Sequence, residues 1–440
     1  MINNIVESFE KIRRQFDTGP YPRTPLEQSP KNDVKSLYIH NIATSYYIRN
    51  QKVIETQGKL ILDAGCGTGY KSLVLAEANP GAKIIGVDIS EKSLELARQR
   101  LQYHGFNNTE FYLLAIEELP QLGLEFDYIN CDDVLYLLSE PAIGLQAMKS
   151  VLKPDGIIRA NLHSLMQRTE FYRAQEVFKY MGLMDDNPAE LEMDLVRDTM
   201  KALKDGVKLK AATWKPHYDT DDAVILMNFL FQGDKGYTIS DIFSALRTAN
   251  LEFISMVNWR QWNLMDLFNE PDNLPAFLAM SLPETTIEEQ LHLYELLNPV
   301  HRLLDFWCGH PERGQSFIPV TDWEQSDWET ARVNLLPQLK TPEVKADLIN
   351  CLRAQTRFDL SQHLDLWTDN RISIEPTSAA CLLPLWEQAQ PVSALVNRWQ
   401  QLRPVDLVTL EPTTAESAWN VVIQSLTALE SYGYLFLERH

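Results

Sequence analysis

The sequence has few cysteines and no long apolar run. Its five cysteines form no CxxC pair and no zinc-binding spacing, so we expect neither a disulfide framework nor a zinc site. This pattern is typical of a reducing cytoplasm. No apolar stretch approaches the roughly 18–20 residues that cross a bilayer. The first residues lack the basic segment and apolar stretch of a signal peptide. We therefore predict a cytoplasmic protein without a membrane partner.

Positive charge is also scarce. There are 40 Lys and Arg residues against 60 Asp and Glu residues, which gives a net charge of −20. The longest cationic cluster, residues 11–14, is short. A protein that binds a phosphate backbone usually presents a basic face. We therefore expect no nucleic-acid partner, and a protein or a small molecule as substrate.

Tryptophan is absent from the first 213 residues, since all ten tryptophans lie at Trp214 or later. A chain of 440 residues is long enough for two or three domains at about 150 residues each. The composition and the element pattern predict five regions. These are an N-terminal cap or lid at 1–57, a core at 58–164, a helical insertion at 165–236, completion of the core sheet at 237–273, and a helical C-terminal domain at 274–440.

Strand and helix signals alternate through the predicted core. Five short apolar runs read as strands: 59–63, 83–88, 111–115, 126–130 and 157–161. Ser90 is a predicted N-cap for the helix after the second strand. Residues 251–257 predict a sixth strand, whereas the apolar run 303–308 reads as a buried helix. Alternation of this kind indicates an α/β fold with a parallel sheet.

A glycine-rich turn, Asp63-Ala64-Gly65-Cys66-Gly67-Thr68-Gly69, lies between the first strand and the next helix. Glycines let the backbone approach a ligand closely. A phosphate-binding Walker A loop is excluded because Tyr70 stands where its last glycine must be. The dinucleotide fingerprint GxGxxG differs from the GxGxG found here.

The turn resembles motif I of class I S-adenosylmethionine (SAM)-dependent methyltransferases, an acidic residue followed by x-G-x-G-x-G. Asp88, 19 residues beyond Gly69, stands where a carboxylate accepts both ribose hydroxyls. The segment 152–156 resembles the family's turn before strand five, and 117–120 resembles its loop after strand three. The resemblance covers about 58–163 and 237–258. It implies a Rossmann-like seven-stranded sheet with a helical insertion and a mostly helical C-terminal domain that loosely resembles a winged helix.

The same resemblance implies SAM as cofactor and S-adenosylhomocysteine (SAH) as product. The expected cofactor-binding residues are Asp63, Gly65, Cys66, Gly67, Gly69, Asp88, Ile89, Ile116, Glu117 and Asn130. One position departs from the family, because Ala115 stands where an Asp commonly accepts the adenine amino group. Ile116 is then expected to contact adenine, with Gln121 or a backbone carbonyl as the acceptor.

Catalytic candidates follow the fourth and fifth strands, where the nucleophile should lie. Asn130 matches only the first position of the Asn/Asp-Pro-Pro-aromatic motif of amide methyltransferases. Asp132 and Asp133 either hold a substrate proton or bind a cation, and the alternative is that Asp133 caps the following helix while Asp132 is solvated. His163 is either a general base, for which its ordinary pKa suits it, or a hydrogen-bonded structural residue. Tyr21, Arg23 and Tyr47 are candidate lid or substrate residues, with ordinary packing as the alternative.

The segment 16–23 ahead of the core resembles a group of cyanobacterial methyltransferases that carry a regulatory-type C-terminal extension. One kind of member methylates an asparagine side chain of phycobiliproteins. Three hypotheses follow. The protein transfers a methyl group to a nitrogen or oxygen acceptor, it does so to a phycobiliprotein asparagine, or it is a SAM-binding regulatory protein without transferase activity.

Overall fold

The structure is a computed structural model that describes residues 17, 19–315, 317–366, 371–406 and 408–439. The chain divides into two compact units. The first comprises the described part of Met1–Gln28 together with Gly58–Ala76 and Gly81–Arg313. The second comprises Ser29–Gln57, Glu77–Pro80 and the described part of Gly314–His440.

The described residues form α-helices and β-strands that we number in chain order. The helices are α1 Val34–His40, α2 Ile42–Asn50, α3 Tyr70–Ala78, α4 Glu91–Tyr103, α5 Pro141–Ser150, α6 Leu165–Tyr180, α7 Glu190–Ala202, α8 Lys208–Thr213, α9 Asp222–Phe229, α10 Ile239–Ala249, α11 Ala276–Ser281, α12 Ile287–Leu297, α13 Gln325–Thr330, α14 Pro342–Ala354, α15 Pro376–Leu382, α16 Val392–Leu402 and α17 Ala415–Ser431. The strands are β1 Leu60–Ala64, β2 Lys83–Asp88, β3 Thr109–Leu113, β4 Phe126–Cys131, β5 Leu152–His163, β6 Glu252–Met256, β7 Leu303–Gly309, β8 Arg332–Leu335, β9 Phe358–Asp359, β10 Ser373–Ile374, β11 Gln390–Pro391 and β12 Leu435–Glu438. No helix in these described ranges is long and apolar enough to cross a bilayer.

A seven-stranded sheet forms the centre of the first unit, in the order β3-β2-β1-β4-β5-β7-β6. Strands β1 to β5 are parallel, and β7 runs antiparallel to both β5 and β6. Every residue of β4 is buried, as expected for a parallel strand covered by helices on both faces. Ser90 caps α4 by accepting a hydrogen bond from the Ser93 N–H at 3.2 Å. The predicted α/β fold with a seven-stranded Rossmann-like sheet is confirmed.

The seventh strand corrects one prediction, because residues 303–308 form β7 and not a buried helix. A run of apolar residues fits either a helix or a strand when both faces of the element are covered. The neighbouring strand decides that a strand forms here. The edge of β5 is open, and its residues 157–163 pair antiparallel with residues 309–303.

The unit boundary also differs from the predicted domain boundaries. Residues 274–313 belong to the first unit, because α12 adds Leu291 and Tyr294 to the core that contains Leu246. Residues 29–57 belong to the second unit and do not form a cap with residues 1–28. The insertion 165–236 lies within the first unit and has an apolar cluster of its own, formed by α6 to α9.

The second unit is mainly helical. Its three-stranded antiparallel sheet has the order β11-β8-β12. Its core includes Trp328, Leu348, Trp399 and Leu426. The helical C-terminal region is confirmed, while its likeness to a winged helix stays a prediction.

Candidate functional site

A cavity of about 340 Å³ lies at the carboxyl ends of β1, β2 and β4. The strand order reverses between β1 and β4, which is where open α/β sheets bind ligands. The volume is within the range of about 300–1,000 Å³ for small-molecule sites. We call it the switch-point cavity. Its lining residues are Tyr21, Pro22, Thr24, Gly65, Cys66, Gly67, Tyr70, Lys71, Asp88, Ile89, Ser93, Leu114, Ile116, Glu117, Asp132, Asp133, Val134, Leu137 and Leu138.

The glycine-rich turn forms one wall of this cavity. Gly67 has a φ of +51°, and a Cβ there would run into the carbonyl oxygen of Tyr21. Gly69 has a φ of +78°, and its Cβ would lie 2.7 Å from the Cα of Ala97. Gly67 therefore allows the backbone to line the cavity, whereas Gly69 serves the packing of α4 against the turn and does not line the cavity.

Asp88 ends β2 and faces the cavity. One carboxylate oxygen accepts the Gly67 N–H at 2.8 Å, and the other accepts the Ser90 N–H at 2.9 Å. Burial raises the pKa of Asp88, and these backbone donors oppose that rise. Each oxygen keeps a second lone pair for a ligand hydroxyl. Asp88 is thus both the anchor of the turn and an acceptor on the cavity wall.

The other end of the cavity wall is mostly apolar. Ile89, Ile116 and Val134 line it, and Glu117 contributes an exposed carboxylate. A flat apolar ring with an amino group fits such a surface, because the side chains cover its faces and Glu117 offers an acceptor. Gln121, the other predicted acceptor, is not among the described lining residues.

Behind the turn lies a row of buried polar side chains from four strands. Asp63 accepts hydrogen bonds from Asn130 Nδ2 at 2.8 Å and from Ser72 Oγ at 2.6 Å. Asn130 Oδ1 accepts from Arg159 Nη1 at 2.8 Å, and Arg159 pairs with Asp305 at 2.6 Å. Burial raises the pKa of both Asp63 and Asp305 to about 6. Asp63 and Asn130, predicted to touch the cofactor, instead support the strands that carry the cavity wall.

Asp132 lines the cavity but is held by several partners. It lies 2.8 Å from Lys71 and 3.2 Å from Arg159, and it accepts from Asn161 Nδ2 at 2.6 Å. Burial lowers the pKa of Lys71 and is the largest single effect, but Asp132 and Asp133 together more than offset it, so the pKa is raised. Asp132 and Lys71 therefore form a charged pair on the cavity wall. Lys71 and Arg159 were not predicted as site residues from the sequence. Arg159 carried a signal, because a charged residue within the apolar fifth strand needs a partner.

His163 is fully buried and does not line the cavity. Its Nδ1 lies 2.6 Å from Asp234, and its Nε2 lies 3.1 Å from Arg302 Nη2. A guanidinium can only donate, so Nε2 is the acceptor and Nδ1 carries the proton. Burial lowers the pKa of His163. Because both nitrogens are engaged, this geometry contradicts the general-base role and agrees with the alternative of a hydrogen-bonded structural histidine.

The N-terminal segment 19–26, which we call the strap, forms another wall. The Tyr21 carbonyl accepts the Thr68 N–H at 3.0 Å, and Tyr21 itself lines the cavity. Arg100 donates to the carbonyls of Thr24 at 2.8 Å, Pro25 at 2.7 Å and Thr68 at 3.0 Å. One buried guanidinium thus ties the strap to the glycine-rich turn.

The other two predicted lid residues are placed differently. Tyr47 belongs to the second unit, where its buried ring packs against Phe436 and its hydroxyl donates to Glu430 at 2.9 Å. This position contradicts a lid role for Tyr47. Arg23 is exposed and is not among the described residues that line the cavity.

Known proteins resemble this chain in sequence and in fold. Residues 55–229 match the family described as Methyltransferase domain. The match covers 175 of the 440 residues of this chain. The comparison with PKMT2 from Rickettsia typhi, solved in complex with AdoHcy, gives a TM-score of 0.59 at 19% identity, over 96% of this chain and 77% of that chain. This likeness shows a shared fold.

Two sequence relatives extend the comparison. An uncharacterised protein of Synechococcus sp. is 26% identical over 323 residues, which are 72% of this chain and 74% of the relative. The ubiquinone biosynthesis O-methyltransferase of Actinobacillus pleuropneumoniae is 32% identical over 134 residues, which are 29% of this chain. The chain spans 56% of the length of that curated relative.

Proposed function

We propose that the switch-point cavity binds SAM and that the protein is a SAM-dependent methyltransferase acting on a nucleophilic nitrogen or oxygen. The observation that carries the proposal is Asp88. Its carboxylate closes β2, fixes the glycine-rich turn and faces the cavity. An acceptor there suits the paired hydroxyls of a ribose.

The residues present fit SAM in shape and in charge. The absence of a side chain at Gly67 lets the strap's Tyr21 carbonyl approach the turn closely, so that Gly67 and Tyr21 line the cavity together. The apolar wall around Ile116 suits an adenine ring. At the other end, Lys71 offers a cation to a carboxylate, and Asp132 offers an anion to an ammonium or a sulfonium.

When bound, SAM supplies a methyl group on a positively charged sulfur, so the transferred group arrives already activated. The protein has to orient the acceptor, exclude water and remove a proton where the acceptor carries one. The strap contributes to water exclusion, because Tyr21 and Pro22 line the cavity and Arg100 holds the segment in place.

The acceptor in this proposal is carried by a protein or by a small molecule. Within it we keep a narrower proposal, methylation of an asparagine side chain of a phycobiliprotein. Support for it is the sequence likeness to a Synechococcus protein, together with a second unit large enough to contact a protein substrate. Mass spectrometry of phycobiliproteins from cells with and without the gene tests it, because one methyl group would be missing from an asparagine when the gene is absent.

One observation favours the alternative of a SAM-binding regulatory protein without transferase activity. Asn130, Asp132 and His163, the three predicted catalytic residues, are all engaged in internal contacts. A protein of this kind would bind SAM and SAH and transfer nothing.

The deciding experiment combines binding with transfer. Calorimetry with SAM, SAH and NADH should show binding of the first two and none of the third. Methyl-labelled SAM is then incubated with the protein and an extract of cells lacking its gene, followed by separation by size. Label in a product supports the methyltransferase proposal, and binding without label supports the regulatory alternative. Binding of NADH but not of SAH would refute both.

A further inference from the structure

Asp133 has a position and a chemistry that the functional site described so far does not use. It follows Asp132 at the end of β4 and lines the switch-point cavity. We propose that Asp133 accepts the proton of the methyl acceptor, and that His163 positions Arg302 beside it. This inference rests on the proposed methyltransferase function.

The backbone at Asp133 is held in an uncommon conformation. Its φ is +58°, a left-handed conformation that costs most residues free energy and that Asn and Asp tolerate best. The Asp133 N–H donates to Asn161 Oδ1 at 2.8 Å, which ties the residue to β5. Such strain concentrates at functional sites when the surroundings impose it. Here it presents the carboxylate to the cavity.

One oxygen of this carboxylate is buried and lacks a hydrogen-bond donor. Asp133 Oδ1 accepts no hydrogen bond from any described residue. The side chain as a whole is 25% exposed and lines the cavity, although this oxygen is itself buried. A buried acceptor without a donor is energetically unfavourable, and a ligand hydrogen would remove that cost.

The neighbouring His163 ring cannot supply the missing hydrogen. His163 Nε2 lies 3.8 Å from Asp133 Oδ1, but this nitrogen already accepts from Arg302. His163 is fixed in turn by Asp234, which also binds Arg168 at 2.8 Å. The chain of contacts holds the Arg302 guanidinium near the carboxylate, where its charge favours the anionic form.

The neighbouring candidates lack a free acceptor of this kind. Asp132 is held by Lys71, Arg159 and Asn161. Asn130 is engaged at both its oxygen and its nitrogen. Among these predicted and neighbouring residues, Asp133 combines a cavity position with an acceptor that has no donor.

The step balances in atoms and charge. A bond forms between the acceptor heteroatom and the methyl carbon, while the carbon–sulfur bond breaks and its electron pair stays on sulfur. The heteroatom's proton moves to the Asp133 carboxylate. Positive sulfonium and negative carboxylate become a neutral thioether and a neutral carboxylic acid.

Asp133→Asn is the primary test, because Asn retains the shape and tolerates the positive φ. Labelled SAM with the same gene-deficient extract is the probe. We expect SAH affinity within threefold of wild type, whereas methyl transfer falls at least 100-fold, since a positioned base contributes about 10²–10⁴. Asp186→Asn, an exposed site in the insertion, is the matched control and should behave as wild type.

The pH dependence of methyl transfer distinguishes the proposed role of Asp133 from that of His163. Burial, and then the charge of Asp132, raises the pKa of Asp133, while Arg302, His163 and Lys71 oppose the rise. Tyr21 and Tyr136 also lie within the electrostatic reach of Asp133. Wild-type transfer should therefore fall as the pH drops through the pKa of Asp133. Asp133→Asn should abolish this pH dependence. His163→Gln should lower the transfer rate but keep the pH dependence.

Each remaining outcome has a defined meaning. Two results for Asp133→Asn would overturn its assignment as the proton acceptor. One is methyl transfer within threefold of wild type, and the other is a transfer rate that still falls as the pH drops. A tenfold loss of SAH affinity also overturns it, because Asp133 would then hold the cofactor. If Asp133→Asn does not fold, Asp133→Gly removes the carboxylate at a φ that suits glycine. Wild type that binds no SAH refutes the proposed function itself, and wild type that binds SAH but labels nothing refutes transfer by any residue.

Discussion

Replacing Asp88 with Ala gives the sharpest test of the cofactor assignment. Its carboxylate would accept two ribose hydroxyls, and hydrogen bonds to a charged acceptor contribute about 1.5–3 kcal/mol each. Losing both costs about 3–6 kcal/mol, which is about 10²–10⁴ in affinity at about 1.4 kcal/mol per factor of ten. The measurement is the calorimetric dissociation constant of SAH.

The same substitution has a second effect, because the N–H groups of Gly67 and Ser90 lose their acceptor. That effect weakens every ligand of the turn equally. A 2′,3′-dideoxy analogue of SAH isolates the ribose contacts. Wild type should bind SAH much more tightly than the analogue, and Asp88→Ala should bind the two with similar affinity. Asp186→Ala, an exposed acidic control, should retain the wild-type ratio.

Two results would refute the reasoning about Asp88. If the variant binds SAH within threefold of wild type, the carboxylate makes no important contact with the ligand. If the variant binds SAH weakly but still prefers it strongly to the analogue, the ribose hydroxyls are recognised elsewhere. Differential scanning calorimetry of the free proteins checks that the variant is folded.

Three further substitutions test the surroundings of the cavity. Gly69→Ala should lower the free energy of unfolding by about 1–3 kcal/mol through its contact with Ala97, measured by urea denaturation, and unchanged stability would contradict the packing role. Arg159→Leu should cost about 3–5 kcal/mol by leaving buried carboxylates unpaired. This deficit should shrink as the pH falls from 7.5 to 5, because Asp305, whose pKa burial already raises to about 6, then takes up a proton; an equal deficit at both pH values would argue against that pairing. Arg100→Met should weaken SAH binding at least tenfold by releasing the strap, and calorimetry showing wild-type affinity would remove the strap from the cavity wall.

The cavity lining near the glycine-rich turn could largely be predicted from the sequence, because its residues follow one another at fixed spacing around that turn. Gly65, Gly67, Asp88 and Ile116 were predicted from such local patterns, and all four line the cavity. Gly69 was also predicted, and only the structure separates its packing role from that of the lining glycines.

The acceptor side was not readable, because its contacts join residues far apart in the chain. His163 looked like a base from its place after β5. Its role changes once Asp234, 71 residues later, and Arg302, 139 residues later, are seen to occupy both nitrogens. Asp305 was missed for a related reason, since its segment read as a helix until β5 supplied a strand partner.

The position of β7 has a consequence for how the protein is made. Strand β5 ends at His163, but its outer neighbour begins only at Leu303. The ribosome adds about 5–20 residues per second, so about 140 intervening residues take roughly 7–28 s to synthesise. During that time the nascent sheet has an open edge, and Arg159 lacks its ion-pair partner Asp305. Unpaired edges attract other chains. The whole segment between these strands, of which the helical insertion is about half, therefore sets the interval during which the unpaired edge of a newly made chain is exposed to aggregation.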